Sequence, residues 1–282
     1  LSSDFSDAVT FNINTVNTET YNDTSVNIHT DYYYRIAALN SFGSSPWTEL
    51  AEPAASHVNT FVGSVNASSN AGVAAMSNYT KITGYLYLSG SVTDLSGLSN
   101  ITEIGGDLDI SLPSITNFSG LDNLTSVGGY VNIYGCDALT DLSGLSGLQT
   151  VGGYFQIKYC DGSSFTDLTG LTNLVSLGGA LILESNTYIT DLTGLTSLST
   201  LGSLKVISNP ALSSLSGLPA GLTTLQGDLL ITNNDNAGFT SLAGLEILVS
   251  ITGFVEVTGN QNLLNFTGLD NLESVGKNIY AS

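Results

Sequence analysis

Residues 121–145 read Leu121-Asp122-Asn123-Leu124-Thr125-Ser126-Val127-Gly128-Gly129-Tyr130-Val131-Asn132-Ile133-Tyr134-Gly135-Cys136-Asp137-Ala138-Leu139-Thr140-Asp141-Leu142-Ser143-Gly144-Leu145 and contain one full unit of a recurring pattern. Leu121, Leu124 and Val127 step by three, Gly128-Gly129 interrupts, Val131 and Ile133 alternate like a half-buried strand, and Leu139 and Leu142 return to Gly144-Leu145. One unit later the same apolar columns reappear as Leu145, Leu148, Val151, Phe155, Ile157, Phe165 and Leu168. The Gly-Leu step recurs at Gly97, Gly120, Gly144, Gly170, Gly194, Gly217, Gly244 and Gly268, with spacings of 23, 24, 26, 24, 23, 27 and 24 residues. One unit alone encloses no core. Burial must come from stacking each unit on the next at the strand spacing of about 4.8 Å, which is a solenoid.

Three polar columns accompany the apolar ones. Seven residues after each turn glycine stand Ser91, Pro113, Cys136, Cys160, Asn186, Asn209, Asn234 and Asn260. Three residues before each Gly-Leu glycine stand Asp94, Asn117, Asp141, Asp167, Asp191, Ser214, Ser241 and Asn265, short side chains suited to capping a turn by accepting backbone N–H bonds. One carboxylate per rung is thin coordination for calcium, so no metal is expected there. The Gly-Gly pairs (Gly105-Gly106, Gly128-Gly129, Gly152-Gly153, Gly178-Gly179) either turn the chain at positive φ or let rungs approach closely. They lack the lysine and the strand-to-helix setting of a phosphate loop.

The phrase Leu181-Ile182-Leu183-Glu184-Ser185-Asn186 resembles the leucine-rich repeat, in which inward asparagines bond the backbone of adjacent rungs as a ladder. The Ile82-Thr83-Gly84-Tyr85-Leu86-Tyr87-Leu88 segment, with rungs joined by Leu-x-x-Val-Gly-Gly, is more similar to the receptor L-domain over about 200 residues. This resemblance implies an all-β, right-handed parallel β-helix-like solenoid of 23–27-residue rungs and implies little about activity.

Tyr32, Tyr34, Ile36 and Ala38 alternate ahead of Asn40 and the turn at Phe42-Gly43-Ser44, a pattern that resembles the second half of a fibronectin type III domain. Residues 1–53 are thus expected to form a partial sandwich, short of the roughly seven strands such a domain needs. Either the chain is a fragment of a longer polypeptide or a neighbouring subunit completes the sheet. Residues 54–80 are expected to hold a linker, a first irregular rung from Phe61 to Ala67 and a short capping helix opened by Ser69-Asn70, with the solenoid proper at 81–282.

Five basic residues (Arg35, Lys81, Lys158, Lys205, Lys277) face 24 acidic ones, for a formal charge of −19. Such a chain repels phosphate backbones, which argues against nucleic acid as a partner. No run of about 20 apolar residues exists, so no transmembrane segment is expected. Abundant Gly, Ser, Thr and Asn with few charges fits a secreted β-rich protein, extracellular or on a cell surface. His29 and His57 lie outside the repeats, so neither a Ser-His-Asp triad nor a histidine metal site can form in the solenoid. The carboxylate pairs Asp107/Asp109 and Glu246/Glu256 lack a recognisable cleft partner, and neither enzyme activity nor a cofactor is expected. Cys136 and Cys160 share one column on consecutive rungs, within disulfide range. Side-by-side Cβ atoms argue against a bridge, and both outcomes stay open.

The outward strand positions form two further columns. One is Tyr85, Asp107, Tyr130, Tyr154, Ala180, Ser203, Asp228 and Phe254, and the other is Tyr87, Asp109, Asn132, Gln156, Ile182, Lys205, Leu230 and Glu256. Tyr85, Tyr87, Tyr130, Tyr134 and Tyr154 are the candidate ligand or interface patch. The functional expectation is a non-enzymatic adhesion or protein-binding module of a larger extracellular protein. Two alternatives are a structural subunit assembling head to tail into a fibre and a carbohydrate-binding surface.

Overall fold

The computed structural model describes residues 59–282 and four short strands before them: β1 (Arg35–Ile36), β2 (Leu39–Asn40), β3 (Gly43–Ser44) and β4 (Thr48–Glu49). The chain divides into two compact units, Leu1–Asn59 and Thr60–Ser282. In the first, β1 pairs antiparallel with β4 and β2 with β3. Tyr32, Tyr34 and Ala38, which carry the sandwich expectation, and the linker through residue 58 lie outside the described residues.

The second unit is a β-solenoid of about nine rungs and about 24 residues per rung, nearly all β and about 5% helical. A typical rung has two strands separated by the Gly-Gly bend. The short first strands, from Thr60–Phe61 through Lys81–Ile82, Glu103–Ile104 and Ser126–Val127 to Thr150–Val151, pair in parallel, each with the next. The longer second strands do the same from Val65–Ala67 through Leu86–Leu88, Leu108–Ile110, Val131–Tyr134 and Phe155–Lys158. At Ser176–Glu184 and Thr200–Ile207 both strands merge into one and the sheets join. The longer sheet then continues through Leu229–Thr232 and Val255–Thr258 to Ile279–Ala281.

The apolar columns face inward as their spacing requires. Leu121, Leu124, Val127, Val131, Ile133, Leu139 and Leu142 are buried, and so are their counterparts on the next rung, Leu145 to Leu168. One core thus runs from Val65 to Val257 with no rung owning it. The first rung begins at Thr60, so residues 60–80 belong to the solenoid. The expected helix forms at Asn70–Ala74, with the Ser69 hydroxyl accepting from Gly72 N at 3.3 Å. It buries Val73, and its Val73 carbonyl lies where a Cβ on Gly97 of the next rung would fall.

The Gly-Gly bends work by close approach. Neither Gly128 nor Gly129 has positive φ, but a Cβ on Gly128 would meet the Gly105 carbonyl oxygen at 2.2 Å. Positive φ is found instead at six of the eight Gly-Leu steps, Gly97 and Gly144 lying in short 3-10 turns, and at the residue just before the asparagine column, where Tyr159, Ser185, Ser208 and Asn233 adopt φ of 55° to 58°.

Candidate functional site

Most recurring polar residues serve the rung itself. All eight members of the Asp94 column accept the backbone N–H two residues on, from 2.8 Å at Asp94 to 3.4 Å at Ser241. The Ser143 bonds hold the Asp141 carboxyl below its ordinary range, and bonds from Ser96 do the same for Asp94. Among the described residues, no cluster of three or more His, Cys, Asp or Glu could hold a metal ion.

Asn186, Asn209, Asn234 and Asn260 are buried and form a continuous ladder. Asn186 N donates to Asn209 Oδ1 at 3.1 Å, Asn209 N to Asn234 Oδ1 at 2.9 Å, and Asn234 N to Asn260 Oδ1 at 2.9 Å. Each amide nitrogen donates to a carbonyl of the preceding rung, as Asn209 Nδ2 does to Leu183 O at 3.0 Å. Cys160 N donates to Asn186 Oδ1 at 3.1 Å, and Cys136 N to Cys160 Sγ at 3.4 Å. Pro113 ends the series without an N–H to satisfy. Both cysteines are buried free thiols and take part in this ladder rather than in a disulfide. Contact with Cys136 and then burial push the Cys160 thiol far above its usual range.

The outward columns lie on the face of the longer sheet, where some members, such as Asp107 and Asp228, also accept a backbone N–H of the next rung. The structure confirms their register: Asp109 pairs with Tyr87 on one side and Asn132 on the other. Tyr130 and Tyr154 stack with ring centroids 4.6 Å apart and planes 3° from parallel. Tyr134 meets Tyr159 edge-on at 5.5 Å. Short Asp107 and Asp109 lie between a row of long side chains, Tyr85 and Tyr87, and a second row in which Tyr130 stands tall and Asn132 does not. The difference in height cuts a notch across the sheet, an open cavity of about 500 Å³ lined by these residues with Asn66, Ile110, Ser111 and Tyr134. Tyr154 lies outside that lining and supports Tyr130 from behind.

Hydrogen bonds fix the notch. Tyr130 Oη donates to Asp109 Oδ2 at 2.9 Å, Asn132 Nδ2 donates to Asp109 Oδ1 at 2.9 Å, and Tyr130 N donates to Asp107 Oδ1 at 3.0 Å. A Cβ on Gly129 would lie 1.9 Å from Asp107 Oδ1, so the carboxylate fits there only because that residue is glycine. Tyr85, Tyr87 and Tyr134 remain 39%, 39% and 45% exposed. The tyrosines were legible in the sequence. The concavity was not, because it depends on side-chain height from row to row.

Burial, together with the bond to Asp109 and its negative charge, pushes the Tyr130 hydroxyl up to about 12. The raised value favours the neutral phenol in the folded state. The stability it contributes is therefore complete below the unfolded value near 10 and is lost as pH rises from there through 12. Alkaline titration followed by tyrosinate absorbance should resolve Tyr130 as a late-ionising group, and Asp109→Asn should move it back toward the ordinary range. A Tyr130 transition unaffected by Asp109→Asn would refute the assigned bond.

No family model matches this chain, and no curated protein is significantly similar to it.

Proposed function

We propose that this chain is a non-enzymatic, extracellular or cell-surface adhesion module that binds a protein partner through the Tyr85–Tyr134 notch. The observation that carries the reading is the notch itself. It brings exposed aromatic rings and two carboxylates together in a concavity on the outside of the solenoid, whereas the Asp94 and asparagine columns are committed to the backbone. Rigid aromatics around a concave polar floor are the composition of interface anchors. The resemblance of the repeats to the receptor L-domain and of the N-terminal pattern to fibronectin type III supports the same assignment, as does the acidic, lysine-poor composition.

The test is retention of beads coated with the full chain on cell and matrix surfaces. Tyr87→Ala combined with Tyr134→Ala should lower retention at least about fivefold while leaving the thermal unfolding transition in place, because both rings are substantially exposed. Retention unchanged by this pair would sink the assignment of the notch as the binding surface.

A further inference from the structure

We propose that the notch receives the guanidinium of an arginine side chain presented by the protein partner. The inference rests on the binding-module reading above and specifies the chemistry of that same site. It follows from charge, from hydrogen-bond polarity and from shape.

Asp107 and Asp109 place two carboxylates on the floor, and the lining contains no lysine, arginine or histidine. Lys158, one rung on from Tyr134 in its ladder, is paired with Glu184 and lies 4.8 Å over the Tyr159 ring. The only other ion pair among the described residues, Lys81 with Glu103, lies on the other strand row. The notch therefore carries uncompensated negative charge on a chain of formal charge −19, which excludes anionic ligands and attracts cationic ones.

The walls mainly accept hydrogen bonds. Both oxygens of Asp109 are anchored by one donor each and keep further lone-pair capacity, and Asp107 is held through Oδ1. Asn132 Oδ1, in the same wall, is closed off from solvent and finds no donor within the protein. Guanidinium offers five N–H donors, no acceptor and a positive charge that the two carboxylates complement, whereas a sugar hydroxyl can donate to them but brings no charge.

Tyr85 and Tyr130 flank Asp107 two strand spacings apart, about 9.5 Å. A flat group midway between them lies about 4.7 Å from each ring, which is room for one layer and not for two. A guanidinium is flat, weakly hydrated and attracted to tyrosine faces while it pairs with the carboxylate below.

The experiment uses the full chain and the peptide acetyl-Gly-Arg-Gly-amide, with the same peptide carrying citrulline as a neutral isostere. Nuclear magnetic resonance shifts of the Tyr130 ring and Asn132 side chain provide the readout. The arginine peptide should shift both signals saturably, with a dissociation constant on the order of 1 mM, and citrulline should bind at least about tenfold more weakly. Asp107→Asn, which keeps an acceptor for Tyr130 N, should cost a similar factor with an unchanged unfolding temperature. Equal binding of citrulline overturns the proposal, as does a neutral trisaccharide that shifts the same signals where the arginine peptide does not. In the bead assay Asp107→Asn should also reduce retention. If Asp107→Asn leaves retention intact while the tyrosine pair abolishes it, the arginine proposal fails and the binding module stands; if neither affects it, both fail.

Discussion

Gly194→Ala is expected to give either no folded protein or one whose thermal unfolding midpoint falls by more than about 10 °C, from a loss of at least about 4 kcal/mol. Two independent costs meet at this residue. Its φ of +121° lies where L side chains are rarely found, and an added Cβ would stand 2.2 Å from the Leu168 carbonyl oxygen and 2.3 Å from its carbon. Neither atom is the end of a flexible side chain, so relief requires the two rungs to part. They are tied at this point, because Leu168 N donates to Thr193 O at 2.8 Å. The same tie recurs at Leu192 N to Ser216 O, 2.9 Å, beside Gly217, and at Leu242 N to Thr267 O, 2.8 Å, beside Gly268. The Gly-Leu glycine is thus the position where rungs are bonded too closely for a side chain. The control is Gly135→Ala, at φ +61° with nothing within 4 Å of the added Cβ, for which the left-handed backbone alone costs about 1 kcal/mol. A Gly194→Ala protein as stable as Gly135→Ala would refute the close-approach account.

The Gly-Leu spacing specifies a stacked repeat, since leucines in a fixed column can be buried only by their counterparts one rung away. The register, the buried columns and the polar column from Asp94 to Asn265 follow from the same periodicity and are present in the structure, and the Ser69 cap follows from the local Ser-Asn helix start. The division of labour among the glycines was not legible. Gly-Gly and Gly-Leu look alike as turn signals, yet Gly128-Gly129 accommodates a neighbouring backbone without positive φ while Gly194 needs both. Nor was the state of the two thiols legible. Shared column position brings Cys136 and Cys160 within bridging range, but each sulfur is directed to backbone partners, Ile110 O and Tyr134 O for Cys136, and Ile133 O and Lys158 O for Cys160. The first rung was harder still: residues 60–80 lack the Leu-x-Gly-Leu phrase because a helix occupies its place, although Val65–Ala67 pairs in register with Leu86–Leu88. At the notch, the outward columns contain the tyrosines and the Asp107/Asp109 pair, but nothing in the columns shows that the pair lies in a concavity. Their significance lies in being short among the taller Tyr85, Tyr87 and Tyr130, a property of neighbouring rows rather than of one column.

Asn209→Ala should destabilise the solenoid by about 3–5 kcal/mol, and Asn209→Cys by clearly less. The alanine variant removes the acceptor that Asn209 Oδ1 supplies to Asn186 N at 3.1 Å and to Asn186 Nδ2 at 3.2 Å. It also removes the donor to Leu183 O at 3.0 Å and Ile207 O at 3.1 Å. Asn186 and Asn209 are fully buried, so water cannot replace the lost partners without opening the core. An orphaned backbone N–H costs about 1–3 kcal/mol, and the cavity left by the amide adds to it. Cysteine is the informative substitution because the chain already uses it in this column. Cys160 Sγ accepts Cys136 N at 3.4 Å and reaches Lys158 O at 3.6 Å, a weaker copy of the asparagine bonds. Both variants should be compared by denaturant unfolding and by hydrogen exchange at Asn186 N. Exchange there should accelerate most in the alanine variant, and protection of distant rungs near Leu108 should change less, because each rung contacts only its neighbours. Equal stability of the alanine and cysteine variants would mean that side-chain volume, not the continuous line of acceptors, is what this column contributes.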